Sequence, residues 1–137
     1  MMKRTVRSDF GEVSVRHEGV VLAKVIHNVD IDLDRAKTYH ALVKYLSRGA
    51  EHCTVIDLSG ISSISPEARA YLQKTSSEWG KTIAVALVTS TFTARIIAGF
   101  FLSVNKPSYP VKVFTDTLEA QQWARNEYLK YFTRIAS

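Results

Sequence analysis

The stretch Cys53–Thr54–Val55–Ile56–Asp57–Leu58–Ser59–Gly60–Ile61–Ser62–Ser63–Ile64 decides the fold. It opens with an apolar run that closes at Asp57 and gives way to turn residues. A run of that kind suits a strand inside a parallel sheet, where both faces are covered. Ser65–Pro66–Glu67 follows at once as a helix start. The serine caps, and proline fits the first helical position because its missing N–H would have no partner there. Ala68, Tyr71, Leu72, Thr75 and Trp79 continue the helix, and Gly80 ends it.

The same grammar extends in both directions. Downstream, Ile83–Val88 reads as a second buried strand and Phe92–Val104 as a helix. Pro107 and Pro110 interrupt the chain before the strand Val111–Phe114. Asp116 and Glu119 have capping-box spacing, and Ala120, Trp123, Ala124, Tyr128 and Tyr131 mark a last helix. Upstream, Asp32 is the expected cap of a helix with the stripe Ala36, Tyr39 or His40, Val43 and Leu46, ended by Gly49. Before it, Val13 and Val15 alternate with Glu12, Ser14 and Arg16 as a half-buried strand. The turn His17–Glu18–Gly19 hairpins that strand to Val20–Ile26. The order is β-β-α-β-α-β-α-β-α. This is an α/β domain with a mainly parallel sheet of four to five strands, its first strand antiparallel.

The chain has 137 residues, 46% of them hydrophobic and 23% charged. That length suits one domain, and the apolar content excludes a disordered or low-complexity chain. The formal net charge is +5, of which Lys3, Arg4 and Arg7 supply three units. The excess is therefore read as a basic N-terminal arm over residues 1–11, ahead of a single domain over 12–137. Without interleaved aromatics this arm does not predict nucleic-acid binding. Cys53 is the single cysteine, so no disulfide closes within the chain. There is neither a signal-peptide apolar core nor a run long enough to span a bilayer. The expectation is a cytoplasmic protein.

The segment Asp57–Leu58–Ser59–Gly60–Ile61–Ser62–Ser63–Ile64 resembles the "D-L-S-G-V-x-x-I" strand and loop of STAS domains. These are the SpoIIAA-like domains of anti-sigma factor antagonists and anion-transporter tails, and lipid-binding Sec14-type domains have a related fold. The element order over residues 12–130 matches as well. Asn105–Lys106–Pro107, Tyr109–Pro110 and Phe114–Thr115–Asp116 also resemble a small uncharacterised bacterial family with this fold. The resemblance implies a non-enzymatic regulatory or scaffolding domain that docks a protein partner or itself. One departure matters. Where the family carries a phosphorylated serine, this chain reads Ser65–Pro66–Glu67–Ala68, with Glu67 at the acceptor position. A glutamate brings one fixed negative charge to a helix N-terminus and cannot be switched by a kinase.

Two groups of candidate site residues follow. Parallel sheets bind ligands beyond their C-terminal strand ends. Here that edge holds Asp57, Ser59, Thr89, Ser90, Thr91 and Thr115, with Ser62, Ser63, Ser65 and Glu67 on the adjoining loop and Arg95 one turn into its helix. They make either an anion or polar-ligand site or a set of helix caps. The second group is the helix from Phe92 to Val104. At about 100° per residue, Phe92, Ile96, Ile97, Phe100, Phe101 and Val104 fan over roughly half its circumference. One sheet face needs a stripe only a little over 100° wide. The surplus predicts deep core, a docking surface or a lipid-like ligand pocket. His17, His27, His40 and His52 form no metal-ligand spacing, and no nucleophile or phosphate-loop motif is present, so neither enzyme activity, metal nor cofactor is expected.

Overall fold

A computed structural model describes residues 4–104 and 108–136, the side chains at 76–78, 101, 103, 104 and 136 excepted. Eight strands and four helices follow one another as β1 (Thr5–Ser8), β2 (Gly11–His17), β3 (Val20–Val25), β4 (Val29–Ile31), α1 (Leu33–Ser47), β5 (His52–Asp57), β6 (Ile61–Ile64), α2 (Pro66–Trp79), β7 (Thr82–Val88), α3 (Phe92–Val104), β8 (Val111–Phe114) and α4 (Thr117–Ala136). Six strands form the main sheet in the order β1-β2-β3-β5-β7-β8, and β4 and β6 pair separately. The β1–β2 and β2–β3 pairs are antiparallel, whereas β3–β5, β5–β7 and β7–β8 are parallel.

Alternation along the inner strands builds two cores. Val21, Ala23 and Val25 of β3 face one side, with Val43 and Leu46 of α1, Ala68 of α2, and Ala94, Ile97 and Ala98 of α3. Val20 and Leu22 of β3, with Cys53 and Val55 of β5, face the other side and meet α4. The two-residue period of an extended strand requires this division. Ala120 and Ala124 let α4 lie close, since both are fully buried and carry only a methyl group. Burial behind α4 pushes the Cys53 thiol up to about 12, with the Glu127 carboxylate adding to the rise, so it acts as a small core side chain.

The four helices and the N-caps of α1, α2 and α4 stand where the sequence puts them. The Asp32 carboxylate accepts the Arg35 N–H at 2.9 Å, the Ser65 hydroxyl accepts that of Ala68 at 3.0 Å, and the Asp116 carboxylate accepts that of Leu118 at 3.0 Å. The strand count is larger than expected. Residues 5–8 of the supposed basic arm are β1, paired along its length with β2. Arg4 lies over the Tyr45 ring at 5.1 Å, and Arg7 pairs with Glu12 at 3.6 Å. The arm carried too few apolar residues to read as a strand, yet an edge strand needs only its backbone partner and one covered face. The α1 ending is also displaced by one residue. Arg48 takes the left-handed conformation that the sequence assigns to Gly49, and Gly49 itself follows at φ 68°. Among the described residues no helix is long and apolar enough to cross a membrane.

The small sheet was not foreseen, and it explains one glycine of the D-L-S-G segment. β4 and β6 run parallel, and the Val29 N–H donates to the Gly60 carbonyl at 3.2 Å. Closing this crossing brings Gly60 against the end of β3. A Cβ there would stand 2.2 Å from the Ile26 carbonyl oxygen and 2.4 Å from that of Val25. Both obstacles are backbone, so no side chain can swing aside. Gly60→Ala is therefore expected to cost about 1–3 kcal/mol. It should lower the urea midpoint without changing the slope of the transition; an unchanged midpoint would contradict the close approach.

Candidate functional site

The C-terminal strand ends do meet at one edge. Lys24, Asp57, Val88 and Phe114 are consecutive partners across β3, β5, β7 and β8. Asp57 is buried, and its carboxylate accepts the Ser59 N–H at 3.0 Å. The Ser90 hydroxyl donates to that of Ser59 at 2.6 Å. Thr89 is buried, and its hydroxyl has no hydrogen-bond partner among the described residues. The other residues of this group serve the backbone or face outward. Thr91 accepts the Ala94 N–H at 3.1 Å and Ser65 caps α2. Ser63 donates to the Asp30 carboxylate at 2.6 Å. Ser62, Glu67, Arg95 and Thr115 are exposed, Glu67 in the first turn of α2. The edge thus gathers Asp57, Ser59, Thr89 and Ser90, while Ser65 and Thr91 are occupied as caps.

α3 sits differently from the fan. Ala94, Ile97 and Ala98 face the sheet and are almost fully buried, whereas Phe92 is 74% exposed, Ile96 46%, Phe100 42% and Leu102 38%. Two alanines admit the closest approach to the sheet, so the helix turns that side inward and leaves Phe92, Ile96 and Phe100 outside. Ile97 is the one buried member of the fan among the described side chains. Phe101 and Val104 lie outside the described side chains. The Arg69 guanidinium covers part of the outer face, stacked 4.7 Å from the Phe100 ring centre.

A cavity of about 190 Å³ lies between the main sheet and α1, α2 and α3. Its sheet wall is His52, Thr54 and Ile56 of β5 with Val85 and Leu87 of β7, and its helical wall includes Tyr39, His40, Leu72, Gln73, Trp79 and Ile97. Tyr109 and Val111 contribute from the loop and strand after α3. The wall is apolar apart from a few groups. Burial, with the neighbouring Tyr109, pushes the Tyr39 phenol well above its usual range. Arg35 reaches the rim, but its guanidinium is held by Asp9 at 3.2 Å and by the Asp30 carbonyl at 2.7 Å.

His52 is the most constrained polar group of this wall. It is 2% exposed, and its ring lies 5.1 Å from that of Trp79, which in turn meets the His40 ring edge-on at 5.4 Å. Nδ1 stands 2.9 Å from the Ala50 carbonyl. A carbonyl only accepts, so Nδ1 carries the proton, and in the neutral ring Nε2 is an acceptor. Among the described residues Nε2 has no partner, and neither does the buried Gln73 amide nitrogen. The sequence sets His52 among four histidines without metal-ligand spacing and beside Cys53 on one strand. Those two do face opposite sides of β5, as alternation requires. The sequence offers Tyr39 and Trp79 as helix positions and does not single out Gln73. The available signal was a histidine opening an apolar parallel strand, two residues before Thr54 on the same face.

These features define a SpoIIAA-like α/β domain with an apolar cavity under its helices. The chain belongs to the family described as a domain of unknown function (DUF7793), whose model matches residues 14–127. Among solved structures it is similar to an uncharacterised protein of the DUF3478 family with a SpoIIAA-like fold from Shewanella loihica PV-4. The two share 18% identity over 90% of this chain and 92% of that one, with a TM-score of 0.56. At that identity the likeness carries the fold alone. No curated protein matches the chain.

The histidines give the fold a pH dependence. Burial lowers the pKa of His52 against the opposing hydrogen bond to Ala50, and burial followed by the Lys44 charge lowers that of His40. The unfolded chain, titrating near pH 6.5, therefore binds protons before the folded one. Their contribution is intact above about pH 6.5 and is lost progressively as pH falls below it. Urea unfolding from pH 7.5 to 5 should show falling stability, with a shallower fall in His52→Gln. An equal fall in both proteins would remove His52 from the cause.

Proposed function

We propose that this chain is a non-enzymatic binding protein whose ligand is a small, largely apolar molecule held between the sheet and α1, α2 and α3. The observation that carries this reading is the cavity of about 190 Å³. Protein interiors are normally filled to crystal-like density, and an apolar cavity of about 150 Å³ accepts a benzene ring. Space of this size beneath three helices supports a binding role better than a packing one. The size favours a ligand of one ring or one short branched chain rather than a full-length lipid. We place the protein in the cytoplasm.

Trp79 borders the cavity, whereas Trp123, the other tryptophan, packs with Phe114 in the core under α4. In Trp123→Phe, titration with toluene should change Trp79 emission saturably and raise the melting temperature. No saturable change and no thermal shift with probes of this size would refute the reading.

A second reading is favoured by α3. Phe92, Ile96 and Phe100 recur at one-turn spacing on its outer side, forming an apolar strip flanked by Arg69 and Arg95. Such a strip supports docking of a protein partner, a second copy included. Ile96→Glu should leave the melting temperature within a few degrees, because the residue is half exposed. Sedimentation should show a wild-type dimer and a monomeric variant. A wild type that stays monomeric at high concentration would exclude self-docking.

A further inference from the structure

We infer that Tyr39 is the polar anchor of this cavity and that the ligand presents to it one uncharged acceptor, a carbonyl oxygen. This rests on the binding role proposed above and specifies its chemistry.

Few polar atoms of the wall are open to a ligand. His52 Nε2 and the Gln73 amide nitrogen have essentially no open surface, so they offer a ligand nothing. The Thr75 hydroxyl is occupied in donating to the Tyr71 carbonyl at 2.8 Å. The Tyr39 hydroxyl is a different case. No hydrogen bond holds it among the described residues, and it is not one of the sealed polar atoms. Tyr39 lines the cavity as a half-buried side chain, and burial pushes its phenol well above the usual range. Open surface so far from bulk water belongs to the cavity. A phenol hydroxyl also stands at the end of a ring, clear of its own backbone, where a ligand can meet it.

The hydroxyl selects the partner. It stays protonated near pH 7, so it is available as a donor. A phenol gives its proton more readily than its oxygen accepts one, because the ring draws on the oxygen lone pairs. A donor left unmet in an apolar wall is costly, and an acceptor gains there. The remaining wall sets the charge. Arg35 is the one cationic side chain among the described lining residues besides the histidines, and Asp9 and Asp30 already hold it. Burial keeps His52 and His40 neutral near pH 7. An ionised carboxylate would therefore shed its water with no counter-charge in reach. A carbonyl oxygen meets both conditions, and Leu72, Trp79 and Ile97 offer surface for the ring or short chain that carries it.

The test pairs acetophenone with α-methylstyrene, in which a CH2 group replaces the carbonyl oxygen. Calorimetric titration of wild type and Tyr39→Phe reads the ratio of the two affinities. That ratio should fall about tenfold in the variant, as loss of one hydrogen bond predicts. An unchanged ratio overturns the anchor, while binding of the hydrocarbon leaves the cavity role standing. If neither probe binds wild type, the cavity role fails and the anchor with it. Should the variant not fold, the infrared carbonyl band of acetophenone bound to wild type decides. A band below its position in hexane is expected, and a band at the hexane position overturns the anchor. Benzoate has the shape of the ketone with a full negative charge. Near pH 7 it should bind more than about tenfold more weakly; binding as tight as that of the ketone overturns the uncharged acceptor.

Discussion

The structure depends on the two-residue period of β5. This strand lies between β3 and β7 with parallel neighbours on both sides, so no register slip is open to it that keeps both cores apolar. One set of its side chains, Cys53 and Val55, is sealed under α4. The other, His52, Thr54 and Ile56, looks toward α1, α2 and α3 across the cavity. The same alternation that separates Cys53 from His52 hands the polar atoms to a single side. Packing on the α4 face is tight, with two fully buried alanines in the helix. The opposite face holds the cavity, although α1, α2 and α3 also bring the buried alanines Ala36, Ala68, Ala94 and Ala98 to it.

Much of this was written locally in the sequence, and local signals were the ones that could be read. The four helices, with Asp32, Ser65 and Asp116 as caps, follow from residues adjacent in the chain. The inner strands follow from apolar runs. What escaped depends on contacts between distant residues. β1 has little apolar content and is a strand because β2 lies beside it. β4 and β6 are three and four residues long, and they pair across more than thirty positions. The candidate site behaves the same way. The strand-end residues share an edge, because parallel registry is a rule of topology. His52 of β5 and Gln73 of α2 border one cavity through packing volumes, which no spacing rule encodes.

α3 shows how composition and orientation part company. Counting apolar positions predicts a wide stripe and says nothing of which part the sheet selects. Selection goes to the residues that allow the closest approach, so Ala94 and Ala98 face inward with Ile97, and the larger Phe92, Ile96 and Phe100 stay outside. The helix thus has work on both sides. Ile97 closes part of the cavity wall while the outer strip faces solvent. Any displacement of Ile97 by a bound molecule would tilt that strip as a unit, because a helix of 13 residues moves as a rigid rod.

The two margins of the main sheet differ from its middle in a way that bears on crowding. β1 and β8 are four residues each, and both carry cations, Arg7 exposed on one and Lys112 near the Phe114 ring on the other. A strand added at either margin would have to strip water from these charges for only a few backbone hydrogen bonds. The sheet is therefore guarded against lateral growth by a further strand at either margin.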